Sequence, residues 1–236
     1  MFKLSVCFVL ALGAASAAAA TTATAPTAEL APAGHPATDS AFRLPDTFAQ
    51  STTVADLRKR FGAANVKIVE EKQEDGSKSR SVVLFADDPS RRAYVEFHDS
   101  TKLEGVARIS VRDAGSRWRG KGDVHIGMSF AELRKANGKP FYYSAFEEKQ
   151  RFFVHDGWSP SSGDEEAKLG NLDVADGEHM YFGVELGLRA TAKALPANAY
   201  PTDDSVSSDD PQFPLMGEFV EVTVLNATTS LDDEWE

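Results

Sequence analysis

Cysteine is almost absent from this chain, and the single one, Cys7, lies near the amino terminus. Around it, Lys3 precedes an apolar run and a tract of small residues with several A-x-A sites, the pattern of a secretory signal peptide over residues 1–20. Cleavage within residues 15–20 leaves a mature chain without cysteine, which excludes disulfides, cysteine nucleophiles and cysteine-ligated zinc. We therefore expect a periplasmic or secreted protein whose fold depends on hydrophobic packing.

Positive charge is also in short supply. The chain has 25 Lys and Arg residues against 36 Asp and Glu residues, a formal net charge of −11. Nucleic-acid-binding domains neutralise phosphates with basic residues, so this balance argues against nucleic acid as a partner. No segment after the signal peptide has the ~20 apolar residues that cross a bilayer, so we expect no membrane-spanning segment. The expected partner of the exported chain is another protein or a cell-envelope component.

Catalytic motifs are missing as well. The sequence contains no H-E-x-x-H, no G-x-S-x-G elbow, and neither a Walker nor a dinucleotide-binding glycine pattern. The histidines show no metal-ligand spacing, so we assign no catalytic, cofactor-binding or metal-binding residue. Two alternatives stay open. One is a hydrolase with a cleft of acidic loops, which a cluster of His155, His179 and loop acids would favour. The other is a calcium loop at Asp203, Asp204, Asp209 and Asp210.

One helix signature occurs twice, at a fixed offset of about 76 positions. It reads TTVADLRKRFG at residues 52–62 and MSFAELRKANG at residues 128–138. Thr53 with Asp56, and Ser129 with Glu132, predict capping boxes that begin the helices, and a glycine ends each one. A fixed period indicates a repeated structural unit, so we expect a tandem architecture.

Each helix signature is followed by segments in which apolar and polar residues alternate, as in strands. The predicted strands are residues 66–71, 81–86, 92–98 and 106–112 in the first half, and 141–146, 151–155, 179–188 and 218–225 in the second. In the fourth segment, we expect Ala107, Ile109 and Val111 to face the core, opposite Arg108, Ser110 and Arg112. The predicted fold class is α+β. It comprises two tandem units, each a short capped helix followed by about four antiparallel strands, with the helices packed on one face of the sheet.

These elements set the expected domain boundaries. Residues 21–48, rich in Ala, Thr and Pro, are predicted to be a disordered leader. The first unit spans residues 49–114, a linker anchored by Trp118 spans residues 115–124, and the second unit spans residues 125–227. The second unit carries two acidic loop insertions, and residues 228–236 form an acidic tail.

Aromatic residues are concentrated between residues 141 and 158. Neighbouring positions on a strand face opposite sides of the sheet, so these side chains cannot all enter one core. Two interpretations remain open: burial on both sides of the sheet, or an exposed aromatic surface of the kind that binds protein partners. The candidate interface residues are Tyr142, Tyr143, Phe153 and Trp158.

The two helix motifs, T-x-x-D-L-R-K-R-F-G and I-G-M-S-x-x-E-L-R-K-A-N-G-K-P-F, look like sequences in uncharacterised exported bacterial proteins. A capped helix ending in glycine, followed by a strand meander, also resembles the modules of β-lactamase inhibitor proteins and of SmpA/OmlA-type outer-membrane assembly proteins. The chain lacks the disulfides of those inhibitors and the lipoprotein cysteine of those assembly proteins. The resemblance implies architecture and non-catalytic protein binding, and it transfers no site residues.

The expected function is therefore that of an exported, non-catalytic binding protein of the bacterial cell envelope. Inhibition of an envelope or secreted enzyme is one alternative, and the hydrolase with an acidic-loop cleft is another.

Overall fold

A computed structural model describes residues 40–46, 48–72, 76–146, 151–154, 158, 170–173, 180–189, 199, 201 and 205–229, with the backbone alone at residues 145 and 146. Within these ranges lie three α-helices: α1 (Val54–Phe61), α2 (Phe130–Asn137) and α3 (Met216–Phe219). The strands are β1 (Val66–Lys72), β2 (Lys78–Leu84), β3 (Ala93–Asp99), β4 (Glu104–Val111), β5 (Tyr142–Phe146), β6 (Arg151–Val154), β7 (Tyr181–Leu188), β8 (Val206–Ser207) and β9 (Val220–Thr228).

All of these strands join one antiparallel sheet in the order β1-β2-β3-β4-β9-β7-β6-β5-β8. The sheet is open, with β1 and β8 at its edges, and β4 pairs with β9 near its middle. The predicted mixture of short helices with an antiparallel sheet is confirmed. Two elements were not predicted, β8 and α3; β8 lies within the expected second acidic insertion. Among the described residues, no helix has the length and hydropathy needed to cross a membrane.

The two predicted capping boxes are present. The Oγ1 atom of Thr53 accepts a hydrogen bond from the Asp56 N–H at 3.2 Å, and the Thr53 N–H donates to Asp56 Oδ2 at 3.1 Å. The same reciprocal pair joins Ser129 and Glu132 at the start of α2, at 3.2 and 2.9 Å. These bonds satisfy backbone donors that a helix start otherwise leaves unpaired. As predicted, a glycine with positive φ follows each helix.

The capping box of α2 predicts a pH-dependent contribution to stability. Hydrogen bonds from the Ser129 side chain, and then from its backbone N–H, hold the pKa of Glu132 below its ordinary value. A carboxylate whose pKa is lowered in the folded state stabilises the fold above its unfolded-state pKa, and this stabilisation is lost as the pH falls through the folded-state pKa. Glu132→Ala should therefore cost about 0.5–1 kcal/mol at neutral pH and progressively less in acid. Urea unfolding across a pH series measures the difference.

Lys135→Ala, on the same helix, is the control. A cost of Glu132→Ala that does not change with pH would contradict the prediction.

The buried positions on β4 agree with those predicted from the sequence, except at Ala107. Ile109 and Val111 are buried as predicted, but Ala107 is only half-buried and Val106 is buried in its place. The register of β3 with β4 shifts between Glu96 and Phe97, which brings Val106 opposite Phe97. This shift is a β-bulge at Ala107, and a bulge changes which side chain enters the core. The outward positions of Arg108 and Ser110 are unaffected.

The expected disordered leader ends earlier than residue 48. Phe42, Leu44 and Phe48 are buried in the core, and a 3-10 turn covers Ser40–Phe42. The backbone of this segment pairs with the expected linker, because the Leu44 N–H donates to the Arg119 carbonyl and the Arg119 N–H donates to the Phe42 carbonyl, both at 2.9 Å. The prediction of disorder is therefore wrong for residues 40–46 and 48. The burial of three large apolar side chains lowers the free energy of the folded state, and the composition of the segment does not show this.

Part of the expected linker packs into the core. Trp118 is 0% exposed, which confirms that it is an anchor, and its Nε1–H donates to the Arg91 carbonyl at 2.8 Å. Val124, at the end of the same segment, is also fully buried. Trp118 and Val124 thus anchor this segment to the core, while Gly115 and residues 121–123 are exposed.

Candidate functional site

The two faces of the sheet have different chemistry. The face toward the helices is apolar. Its side chains form most of the core together with helix side chains such as Leu57 of α1 and Leu133 of α2. The opposite face, called here the outer face, carries polar and charged side chains from its central strands. Strand register places on it Tyr94 and Glu96 of β3, Arg108 and Ser110 of β4, Val224 and Asn226 of β9, Glu185 of β7, Arg151 and Phe153 of β6, and Tyr142 and Ser144 of β5.

A cavity of about 690 Å³ opens on the outer face. Its lining includes Glu96, Arg108, Ser110, Arg112, Arg151 and Glu185, together with Thr223 and Val224. Ligand pockets typically have volumes of about 300–1,000 Å³. The cavity therefore has the size of a ligand site, and five of its ten lining residues are charged.

Glu185 lies at the centre of this charged cluster and is only 5% exposed. Its Oε1 atom is 3.4 Å from Arg108 Nη2 and accepts a hydrogen bond from Asn226 Nδ2 at 3.4 Å, while its Oε2 atom pairs with Arg151 Nη2. A buried carboxylate is tolerated only when it is paired and hydrogen-bonded. Glu185 thus fixes the positions of two arginines on either side of it.

The arginines keep unused hydrogen-bonding capacity. Arg108 is 39% exposed, and its buried Nε has no hydrogen-bond partner. The Arg112 guanidinium lies over the ring of Tyr94, 3.8 Å from its centroid, and no ion pair of Arg112 is found in the described part of the chain. The cavity lining therefore contains three arginines and two glutamates. This is a local excess of one positive charge on a chain whose net charge is −11.

The structure divides the predicted aromatic interface between the two faces. Tyr143 and Trp158 are 1% and 2% exposed, so the prediction that they form an interface is wrong. Trp158 stacks on Phe182, with ring centroids 6.0 Å apart, and its Nε1–H donates to the Phe182 carbonyl at 3.0 Å. Burial also raises the pKa of the Tyr143 phenol. Tyr143 alternates with Tyr142 on β5 and packs on Phe130 of α2, and Trp158 enters the core through its stacking on Phe182.

The other two predicted residues, Tyr142 and Phe153, lie half-buried on the outer face. Phe153 is the β6 neighbour of Glu185, and the Arg151 guanidinium lies 5.5 Å from the centroid of its ring. These two aromatics therefore continue the outer face beside the charged cavity.

The histidines and acidic loops considered for a hydrolase or a calcium site form no cluster that the structure describes. His98 Nε2 lies 2.8 Å from Thr229 Oγ1, and His125 Nδ1 lies 3.0 Å from the Asp123 carbonyl. In the described ranges, no group of three His, Cys, Asp or Glu residues is placed to hold a metal ion. His155, His179, Asp203 and Asp204 lie outside the described residues. Asp209 accepts a hydrogen bond from Ser207 Oγ, and Asp210 accepts one from the Gln212 N–H.

A second concavity, of about 530 Å³, lies at the end of α2 and is lined by Arg134, Lys135 and Lys139. Cations at a helix carboxyl terminus interact favourably with the helix dipole, which accounts for this charge without a ligand. Arg134 and Lys135 are exposed, as their positions on the helix predict. Arg134 therefore offers a charge-matched control for the outer-face arginines.

The sequence contained part of the signal for the charged site. Strand alternation already placed Arg108, Ser110 and Arg112 on one face, which identifies a polar row on β4. Their meeting with Glu185 and Arg151 was not predicted, because it depends on the pairing of β4 with β9 and of β9 with β7.

No known protein family, no characterised protein and no solved structure matches this chain. The likeness of its helix motifs to inhibitor and assembly proteins therefore stays a prediction.

Proposed function

We propose that this protein is an exported, non-catalytic binding protein of the bacterial cell envelope and that its outer face holds the ligand, a protein or an envelope component. The observation that carries the proposal is the cavity of about 690 Å³, in which the buried Glu185 fixes Arg108 and Arg151 at the wall. Preorganised donors of this kind favour binding, because little side-chain entropy is lost when a ligand arrives. Inhibition of an envelope or secreted enzyme is one form that such binding can take.

The chemistry of the cavity wall supports binding over catalysis. A general acid or base needs a proton-transfer group that substrate can reach, but Glu185 is engaged by two arginines and an asparagine. Ser110 Oγ donates to Asn226 Oδ1 at 3.0 Å, and no histidine is among the residues that line the cavity in the described part of the chain. The polar groups are thus used to hold one another in place.

We also propose that the fold is built from two tandem units and that the cavity lies where they meet. Two features support this. Each half begins with a helix that has the same capping box, and the strands β1–β4 and β5, β6, β7 and β9 each run in sequence order toward the β4–β9 pair. Glu96, Arg108 and Arg112 would then come from the first unit and Arg151 and Glu185 from the second. Ligand sites are common at such junctions.

A capture experiment tests the binding function. The mature protein is immobilised and exposed to a bacterial envelope extract, and the retained material is quantified by mass spectrometry. The outer-face variant Arg112→Glu should reduce the retained ligand to background, because it reverses a charge at the cavity. Arg134→Glu makes the same charge change at the end of α2 and should retain the wild-type amount.

Circular dichroism and thermal unfolding first establish that both variants are folded. Identical capture by wild-type protein and Arg112→Glu would contradict an outer-face ligand site. Turnover of an ester, peptide or glycoside substrate by the wild-type protein would contradict the non-catalytic assignment.

A further inference from the structure

We propose that the outer-face cavity binds a peptide through one of its carboxylates, with Arg112 as the carboxylate-binding residue and Arg108 as a second donor. This inference rests on the proposed binding function and specifies its ligand chemistry.

Arg112 is the arginine best placed to bind a carboxylate. Its guanidinium is held over the ring of Tyr94 at 3.8 Å, and it lines the cavity. Stacking uses the face of the guanidinium plane and leaves the in-plane N–H groups, which match a carboxylate bidentately. Two nearby arginines differ in this respect, because Arg91 already pairs with Asp88 at 2.6 Å and Arg92 with Asp113 at 3.0 Å.

Arg108 supplies the second donor. It contacts Glu185 through Nη2 at a long 3.4 Å, it is 39% exposed, and its Nε has no acceptor. Because a guanidinium has five N–H donors and the contact with Glu185 uses Nη2 alone, the exposed part of Arg108 can donate to a ligand while Glu185 keeps the side chain in place. Arg108 and Arg112 are four residues apart on the same strand side, which separates their Cα atoms by about 13 Å. A peptide offers acceptors along such a length, a carboxylate at one point and a backbone carbonyl at another.

The charge balance of the cavity favours a ligand group with a single negative charge. Its lining carries three guanidinium groups and two carboxylates, an excess of one positive charge. One ligand carboxylate restores neutrality, whereas a phosphate dianion would bring excess negative charge close to Glu96 and Glu185. The half-buried Phe153 and Tyr142, which continue the outer face beyond Arg151, provide apolar surface for the rest of the peptide.

A titration with defined probes tests the inference. The mature protein is titrated at low salt with acetyl-Ala-Glu-Ala-amide, with its glutamine counterpart, with acetate and with inorganic phosphate, and binding is followed by NMR chemical shifts. The glutamate peptide should bind most tightly, with shifts at β4 and β7, and added salt should weaken it. Arg112→Gln should weaken it by roughly tenfold or more, because a charged hydrogen-bonded pair is removed. Arg134→Gln should leave it unchanged.

Arg112→Lys refines the test, since it keeps the charge and loses the planar fork; intermediate binding supports bidentate recognition. Equal binding of the glutamate and glutamine peptides, tighter binding of phosphate, or unchanged binding by a folded Arg112→Gln variant would each overturn the inference. Acetate binding as tightly as the glutamate peptide would overturn the peptide part. If the capture experiment distinguishes Arg112→Glu from wild type while the glutamate peptide fails to bind, the binding function stands and the ligand chemistry is wrong.

Discussion

Replacing Trp118 by alanine is expected to lower the free energy of unfolding by about 3–5 kcal/mol. The side chain is fully buried, and its ring centroid lies 5.2 Å from that of Phe42, 5.9 Å from Phe48 and 6.1 Å from Phe61. Its removal leaves a large cavity among aromatic rings that lose their contacts on one side. Equilibrium unfolding in urea, monitored by circular dichroism, measures the effect.

Trp118→Phe separates packing from hydrogen bonding at the same position. It keeps an aromatic ring in the cluster but leaves the Arg91 carbonyl without the Nε1–H donor that lies 2.8 Å away. We expect a cost of about 1–3 kcal/mol, from a smaller ring and one lost hydrogen bond. A cost below about 1 kcal/mol for Trp118→Ala would mean that residues 115–124 are a loose connection after all.

The elements that could be predicted from the sequence are those defined by local chemistry. The capping boxes at Thr53 and Ser129 are three-residue patterns, and each fixes a helix start on its own. Eight of the described strands correspond to predicted segments. Period-two alternation was clearest in β3, β4 and β7, and it needs only the residues of the strand itself. The Ala107 bulge was not predictable in this way, because it is defined by the register with β3.

The packing of Phe42, Leu44 and Phe48 was missed for a different reason. Phe42, Leu44 and Phe48 show no helical or strand period, and the sequence before them is rich in Ala, Thr and Pro. Their burial depends on a surface formed by distant parts of the chain, including Phe61 and Trp118. Amino-acid composition averages over the whole segment, whereas the start of the packed structure depends on a few large apolar side chains.

The charged site needed the most non-local information. Arg108 and Glu185 are 77 positions apart and lie on strands that are separated in the sheet by β9. Glu185 lies within the otherwise apolar strand β7, which is a weak local signal that its carboxylate has a cationic or hydrogen-bonding partner. Which arginines do so follows from the strand order, and that order is set by the whole core.

This arrangement leads to the second large expected effect. Replacing both Arg108 and Arg151 by methionine should destabilise the protein by about 3 kcal/mol, because Glu185 then remains a buried carboxylate without a cation. The two arginine side chains are 39% and 43% exposed, so water entering their place offsets part of the cost, and we expect the lower end of the usual range. Methionine retains much of the apolar packing of the arginine stems.

Adding Glu185→Met to the double variant should restore part of the lost stability, because it removes the unpaired buried carboxylate. The recovery should be incomplete, because Asn226 Nδ2 loses its acceptor on Glu185. Urea unfolding of the wild type, the double variant and the triple variant gives the comparison. Arg112→Met, just after the same strand, is the matched control. It should cost no more than about 1 kcal/mol, because Arg112 loses only its contact with the Tyr94 ring and pairs with no acid that the structure describes. A triple variant as unstable as the double one would show that the arginines stabilise the sheet through packing, and Glu185 would lose its role as the group that positions them.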